Sequence, residues 1–334
     1  MAATMSITNV LTDVARKRAL ENRSLNTATF WIRTAVTTVF GIVLLYRLLL
    51  LDAHIIIRDG GPLFGIASLH LDPIPTFLIY LTFNVLLITA VMWLYFRALQ
   101  ISPMSMCIPF LSFTPVFLIP TGFIILGEIP SPHKALGVAL IVVGSLVMHR
   151  RLFAEGLLAP VKAVLREKGS RYMLLVSLIF AITNPLDKKL VTMSDVFFEA
   201  FAYGLGLCLA FWIMGRRENG DFAAAARGNW HWIGLAGLLD AVSLLFQLAS
   251  YAYIAVVITV SIKRAGIILA VFSGWLFFHE RGITDKVIAA SVMFCGVLIL
   301  YLPLTATQAI AMTLLTLVGM TAALYFTRNQ EATS

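Results

Sequence analysis

Of the 334 residues, 60% are hydrophobic and 13% are charged, against about a quarter charged in soluble domains. A soluble fold of this length cannot bury that much apolar surface, so the excess must face lipid. The net charge of +8 comes from basic residues clustered between apolar runs, which points to membrane topology and away from nucleic-acid binding.

Crossing the hydrocarbon core, about 30 Å thick, takes about 20 helical residues. Each span must be helical, because lipid satisfies no backbone amide. Residues 1–15 are apolar but short, and Arg16-Lys17-Arg18 follows them instead of preceding them. They are read neither as a cleavable signal nor as a crossing. Ten spans follow, at 30–50, 77–97, 104–126, 134–149, 172–191, 196–214, 230–253, 256–278, 286–303 and 306–326. The third holds Pro109, Pro115 and Pro120, which predicts a bent helix. Gly137 and Gly144 in the fourth, with Gly296 in the ninth, predict close helix crossings. Between the fourth and fifth spans, Phe153, Leu157, Leu158, Val161 and Leu165 recur at helical spacing around Lys162 and Arg166. That pattern predicts a basic amphipathic linker on the membrane surface, with a plain basic linker as the alternative. In the fifth span, Asn184-Pro185 predicts either a kinked helix or a span that stops before Asp187, Lys188 and Lys189.

All six tryptophans, at 31, 93, 212, 230, 232 and 275, fall near span ends, as interfacial anchors do. Cys107, Cys208 and Cys295 lie inside apolar runs with no CxxC or Cys/His pattern, so no disulfide framework, metal or other cofactor is expected. Eighteen Lys and Arg residues fall on the side of the termini and the 150–171 link, five fall on the other side, and Lys263 and Arg264 sit within a span. The positive-inside rule then places both termini and the link in the cytoplasm.

The chain also repeats. Residues 103–148 align without a gap on 255–300, pairing Gly122 with Gly274, Glu128 with Glu280, Lys134 with Lys286 and Gly144 with Gly296. A weaker match links Ser6–Asn9 with Ala181–Asn184, each followed by a basic cluster and an apolar span. An odd number of crossings per copy, about five, makes the second copy enter from the opposite side, giving inverted repeats. The expected division is a first repeat over 1–149, the linker over 150–171, a second repeat over 172–303, and an extra hydrophobic helix with a short tail over 304–334. In the first copy the opening of the helix carrying the "ITN" triplet is missing, which reads as a truncated opening helix.

The stretches "ALQISPMSM…PVF…GE…LGVALIVVGSLV" within 98–147 and "AVVITVSIKRAGIILAVFSGWLFFHE…GVLIL" within 255–300 resemble the paired EamA-type units of the drug/metabolite transporter superfamily. Gly127-Glu128 keeps the family's small residue ahead of an acidic one at a helix end, whereas His279 replaces the glycine before Glu280. The resemblance covers about residues 5–302. It implies an all-α polytopic membrane protein of about ten transmembrane helices in two inverted EamA-like repeats, moving small metabolites. It also implies a link between the halves on the outer side, opposite to the side given by the charge count.

Ionisable groups inside the bilayer cost several kcal/mol unless paired or wet, so they mark candidate sites. Lys263 and Arg264 form a cationic spot suited to a carboxylate or phosphate, Asp240 is a candidate partner or proton site, and Asn184 sits beside the helix-breaking proline. These four are the candidate substrate-binding residues; the competing reading is a structural ion pair that fixes helix packing. Glu128 and Glu280, at helix ends, are candidate packing or gating residues at the rim. Glu199, four residues into its span, ranks below them as an interfacial group. There is no P-loop, HExxH or paired-acid motif, so neither direct ATP coupling nor an enzyme is expected. The expectation is a secondary transporter for an amino-acid-like or other small organic solute in the cell membrane, working by alternating access in the export direction. Coupling to a proton or a counter-solute is open. A non-transporting receptor or assembly factor is the alternative, and a membrane-embedded enzyme ranks below it.

Overall fold

The computed structural model describes residues 8, 11–12, 15–16, 18–19, 24–52, 54–61, 63, 71–101, 108–147, 168–265 and 283–333. Helices are the sole regular structure among them. In chain order they are α1 (Leu25–Leu50), α2 (Pro73–Ile101), a 3-10 helix (Ile108–Phe113), α3 (Thr114–Leu126), α4 (Pro132–Val147), α5 (Lys168–Met193), α6 (Val196–Arg217), α7 (Phe222–Tyr253), α8 (Val256–Ala265), α9 (Ile283–Tyr301) and α10 (Ala306–Thr333). Five helical stretches, Leu25–Leu50, Pro73–Tyr95, Val196–Arg217, Trp230–Tyr253 and Ala306–Tyr325, are long and apolar enough to cross a bilayer; Thr114–Leu126, Pro132–Gly144 and Ser291–Leu300 are shorter apolar helices. The amphipathic linker expected at 150–171 lies outside the described residues, apart from its last four, which begin α5.

Two compact units emerge. The first comprises residues 1–90, 124–126 and 183–254; the second comprises 91–123, 127–182 and 255–334. Each therefore draws helices from both sequence repeats.

In the first unit, α1 packs on both α6 and α7. Its buried stripe runs Ala28, Ile32, Val36, Phe40, Leu44, a strict i, i+4 pattern, while Leu45, Leu49 and Leu50 on other faces are exposed as lipid contacts should be. Close approach follows from small residues. A Cβ on Gly204 of α6 would collide with the Thr37 hydroxyl of α1, and one on Gly237 of α7 would come 2.5 Å from the Ala35 Cβ of α1. Every described position between 8 and 19 is helical, and Ala15 and Ala19 pack against Ile32, Ile233 and Ala236. The stretch ahead of the first span is thus part of this unit's core. Asp195 caps α6 by accepting from the Phe197 and Phe198 amides at 2.8 and 3.2 Å. The same carboxylate pairs with Arg47 of α1 at 2.9 Å, fixing the ends of the two helices together.

In the second unit, α4 packs on α9, and α10 packs on both. The crossing expected at the glycines is there: a Cβ on Gly137 would come 2.8 Å from the Gly296 carbonyl oxygen, and one on Gly296 would come 2.7 Å from that of Gly137. The proline-rich third span is two pieces. A 3-10 turn holds Pro109, and Pro115 falls in the first turn of α3, where its missing N–H is no loss. Gly127 ends α3 in a left-handed conformation at φ 71°, open to glycine without strain.

The Asn184-Pro185 helix does not stop early. α5 runs unbroken through Pro185 to Met193. A proline at 185 has no N–H for the carbonyl four residues back, and that carbonyl, on Ala181, accepts from the Thr121 hydroxyl at 2.5 Å. A side chain from α3 replaces the lost backbone bond, which is how lipid-embedded helices tolerate proline.

Candidate functional site

The first unit seals several polar side chains among its apolar helices. Asp240 on α7 is 8% exposed, and Arg33 on α1 is 6% exposed. The Arg33 guanidinium reaches Asp240 Oδ2 at 2.9 Å, an ion pair by distance although its N–H is not aimed along the hydrogen-bond direction. Arg16, from the helical stretch before α1, reaches Oδ1 at 2.7 Å. One carboxylate is thus gripped by two arginines from two different segments, as a buried ion requires. The charge at Asp240, read in the sequence as a candidate substrate or proton group, has arginine counter-ions that the sequence count had assigned to the cytoplasmic rim.

Nearby in the same unit, Asn84 on α2 donates from Nδ2 to Asp187 Oδ1 on α5 at 2.6 Å. Glu199, on the first turn of α6, is 1% exposed, and neither carboxylate oxygen has a hydrogen-bond partner among the described residues. The Asp187 carboxylate acts on it electrostatically. Tyr203, one turn further along α6, lies in the fields of Asp187, Arg33, Glu199 and Asp240.

Asn184 belongs to a third, uncharged network. Its Oδ1 accepts from the Tyr251 hydroxyl at 2.7 Å and from Gln247 Nε2 at 3.4 Å; Gln247 also donates to the Tyr251 oxygen at 3.0 Å. Gln247 and Tyr251 stand at i, i+4 on α7, so one face of that helix presents both to α5. Amides and a phenol offer donors and acceptors without charge.

The remaining candidates lie in the second unit or outside the described residues. Lys263 and Arg264 are on the last turn of α8; Lys263 is half-buried, and the Arg264 side chain lies outside the described residues. Asp240 and Lys263 therefore belong to different units. Glu128 accepts from the Val256 amide at 3.2 Å, placing a negative group on the first N–H of α8. The Gly-Glu pair thus has a local logic: Gly127 turns the chain out of α3, and Glu128 caps α8. Glu280 falls outside the described residues.

Sequence reasoning passed over Asn84, Gln247 and Tyr251, and counted Arg16 and Arg33 as peripheral charges. Asn84 and Gln247 carried a visible signal, an amide in the middle of an apolar span. Glu199 was ranked low on its distance from the span's start, which says nothing about what packs over it.

A polytopic α-helical membrane protein, with ionic and amide networks sealed between its helices, is the class these observations define. The EamA-like transporter family matches residues 1–150 and 167–302, so the chain belongs to that family, a branch of the drug/metabolite transporters. The two matched stretches confirm the doubled sequence. No curated protein matches the chain. One solved crystal structure of a protein aligns over 90% of this chain and 96% of its own, with a TM-score of 0.64 at 12% identity, a likeness of fold alone.

Proposed function

We propose that the chain is a secondary transporter that exports a small, amino-acid-like organic solute across the cell membrane by alternating access. The observation carrying this reading is that helices equivalent by the sequence repeat pack on one another: α1 on α6 in the first unit, and α4 on α9 in the second. Contacts between equivalent helices suit a pseudo-twofold molecule whose copies rock against each other. The two glycine-lined crossings would let such pairs shift as rigid bodies. Outward transport is the sense that kinship with drug and metabolite carriers favours.

For the solute we assign Asn184, with Tyr251 and Gln247, as neutral hydrogen-bonding contacts in the first unit; Lys263 and Arg264, in the second unit, are proposed separately as a cationic spot suited to a carboxylate. Asp240, held by Arg16 and Arg33, is assigned to structure. Glu128 is assigned to positioning α8. The test is flux in proteoliposomes containing the full chain, assayed with a panel of radiolabelled amino acids and other small organic acids under imposed gradients. Protein-dependent flux of at least one solute, abolished by Asn184→Ala and by Lys263→Ala in folded protein, is the expected result. Absence of flux for every solute under every gradient rejects the transporter reading, and normal flux in both variants rejects the site.

A further inference from the structure

Where α6 hands over to α7, the first unit carries the same device twice. On α6, Arg216 lies one helical turn beyond Trp212, and its guanidinium stands 5.5 Å from the centre of the Trp212 ring. On α7, Arg227 lies one turn ahead of Trp230. All four side chains are exposed, Trp212 at 42% and Trp230 at 73%. Residues three or four apart share a helix face, so each helix presents a tryptophan with an arginine one turn nearer the water. The apolar stretch of α6 closes at Arg217, and that of α7 opens at Trp230. Arg227 therefore stands three residues outside the hydrocarbon edge. At a rise of about 1.5 Å per residue that is about 4.5 Å, inside a headgroup layer of about 5–7 Å on each face.

The two ladders are held side by side. A Cβ on Gly215 would come 2.7 Å from Phe222 Cζ, so the end of α6 touches the start of α7. Trp31 of α1 donates from Nε1 to the Phe222 carbonyl at 2.8 Å, and Phe30 meets the Phe222 ring edge-on at 5.2 Å. Arg217 is exposed beside Arg216. Two carboxylates lie in the intervening turn, yet none of the three arginines pairs with a carboxylate among the described residues. Asp221 instead caps α7, accepting from the Ala224 amide at 2.8 Å, and Glu218 accepts from the Ser24 hydroxyl at 3.5 Å. Tryptophans at this depth are ordinary interfacial anchors. Three guanidiniums beside them, at the depth of the lipid phosphates and with no carboxylate partner, call for an anion, and the guanidinium fork matches phosphate oxygens.

We propose that this edge of α6 and α7 binds anionic phospholipid, with the headgroup phosphates on Arg216, Arg217 and Arg227 and the acyl chains along Trp212 and Trp230. The charge count puts this end on the cytoplasmic side, whose leaflet carries the anionic lipids. A zwitterionic headgroup would bring its own cation against the same arginines and gain less. This surface is independent of what the chain transports.

The test is native mass spectrometry of the purified full chain, titrated with phosphatidylglycerol or with phosphatidylcholine. Wild type should prefer phosphatidylglycerol by about tenfold, and Arg216→Gln or Arg227→Gln alone should weaken that lipid by about fivefold with phosphatidylcholine unchanged. Raising the salt should shrink the preference, because exposed charges are screened. Arg216→Lys with Arg227→Lys keeps the charge and should hold phosphatidylglycerol within about threefold of wild type, so the result does not hang on a charge-removing variant that folds poorly. Arg58→Gln, an exposed arginine beyond the far end of α1, removes the same charge and should change nothing. No preference in wild type, unchanged affinity in the folded Gln variants, loss in the Lys pair, or an equal loss in Arg58→Gln overturns the lipid surface. Complete displacement of the lipid by excess inorganic phosphate, or a two-chain mass that depends on these arginines, also overturns it, the first in favour of a free anion and the second in favour of a protein partner.

Discussion

Asp240 is the sharpest test of how this molecule tolerates charge in lipid. Its two arginine partners are not equivalent: the Arg33 side chain is 7% exposed, and that of Arg16 is 25% exposed. Asp240→Ala removes the counter-ion of both. Arg16, at a partly open position, can swing its guanidinium toward the interface. Arg33 cannot, and its Nε already has no hydrogen-bond partner among the described residues. Stranding a buried charge in this way costs about 3–5 kcal/mol. Arg16→Ala leaves the Arg33–Asp240 pair in place and should cost about 1 kcal/mol or less once solvent screening is allowed for. Replacing both deep partners, Arg33→Leu with Asp240→Leu, leaves no stranded ion and should recover most of the Asp240→Ala loss, because an apolar pair of similar volume substitutes well for a buried ion pair. The measurement is thermal unfolding of the purified chain in one detergent, followed by intrinsic tryptophan fluorescence, with solute flux recorded in parallel. The expected order of stability is wild type, Arg16→Ala, the double variant, then Asp240→Ala, with flux surviving in the double variant. If Asp240→Ala unfolds no more readily than Arg16→Ala, the ion pair is not what holds these segments. If the double variant is stable but moves no solute, Asp240 or Arg33 belongs to the transport machinery.

Other consequences can be checked with single substitutions. Thr121→Val leaves the Ala181 carbonyl without its partner beside Pro185 and should destabilise the chain by about 1 kcal/mol; adding Pro185→Ala, which restores the backbone bond, should rescue it in the same thermal assay. Gly137→Leu cannot be accommodated against the Gly296 backbone and should lower yield and thermal stability sharply, whereas Gly234→Ala, with open space around its added Cβ, should be near neutral. Glu128→Ala removes the cap of α8 and should cost about 0.5–2 kcal/mol, with Glu128→Gln milder because an amide oxygen still accepts from Val256. A single cysteine at position 158, in an otherwise cysteine-free chain, should react with a membrane-impermeant maleimide from the cytoplasmic face, as the charge count requires; reaction from the outside alone would reverse the orientation.

Much of the helical frame was legible because lipid imposes a length rule that water does not. Runs such as 30–50 and 230–253 had to be helical and long, and α1 and α7 are. The turn between the seventh and eighth spans was readable too, since α7 ends at Tyr253 and α8 begins at Val256. The prolines were harder. Pro185 looked able to end its helix, and nothing in residues 172–191 could reveal that Thr121, some sixty positions earlier, would satisfy the orphaned carbonyl. Proline tolerance is a tertiary property, and a span read alone cannot show it.

The site was less legible for a related reason. Depth along one helix can be estimated from residue counting at about 1.5 Å per residue, and that reasoning placed Arg33 and Glu199 near the water because each lies close to the start of a span. Burial depends on what covers a residue. At Arg33 the cover comes from α7 and from the helical stretch carrying Arg16, which the sequence had been read as leaving out of the crossings. Asp240 was then read without the two arginines that reach it, and Lys263 and Arg264 stood as the nearest cations in the sequence. The corrective signal was present as stoichiometry: a lone mid-span aspartate demands a cation, and the first span supplied one three residues in. Glu199 raises a kindred demand, since neither oxygen of its buried carboxylate has a hydrogen-bond partner among the described residues. Counting along a single helix could not tell the aspartate reached by two arginines from the glutamate whose oxygens have no hydrogen-bond partner among the described residues.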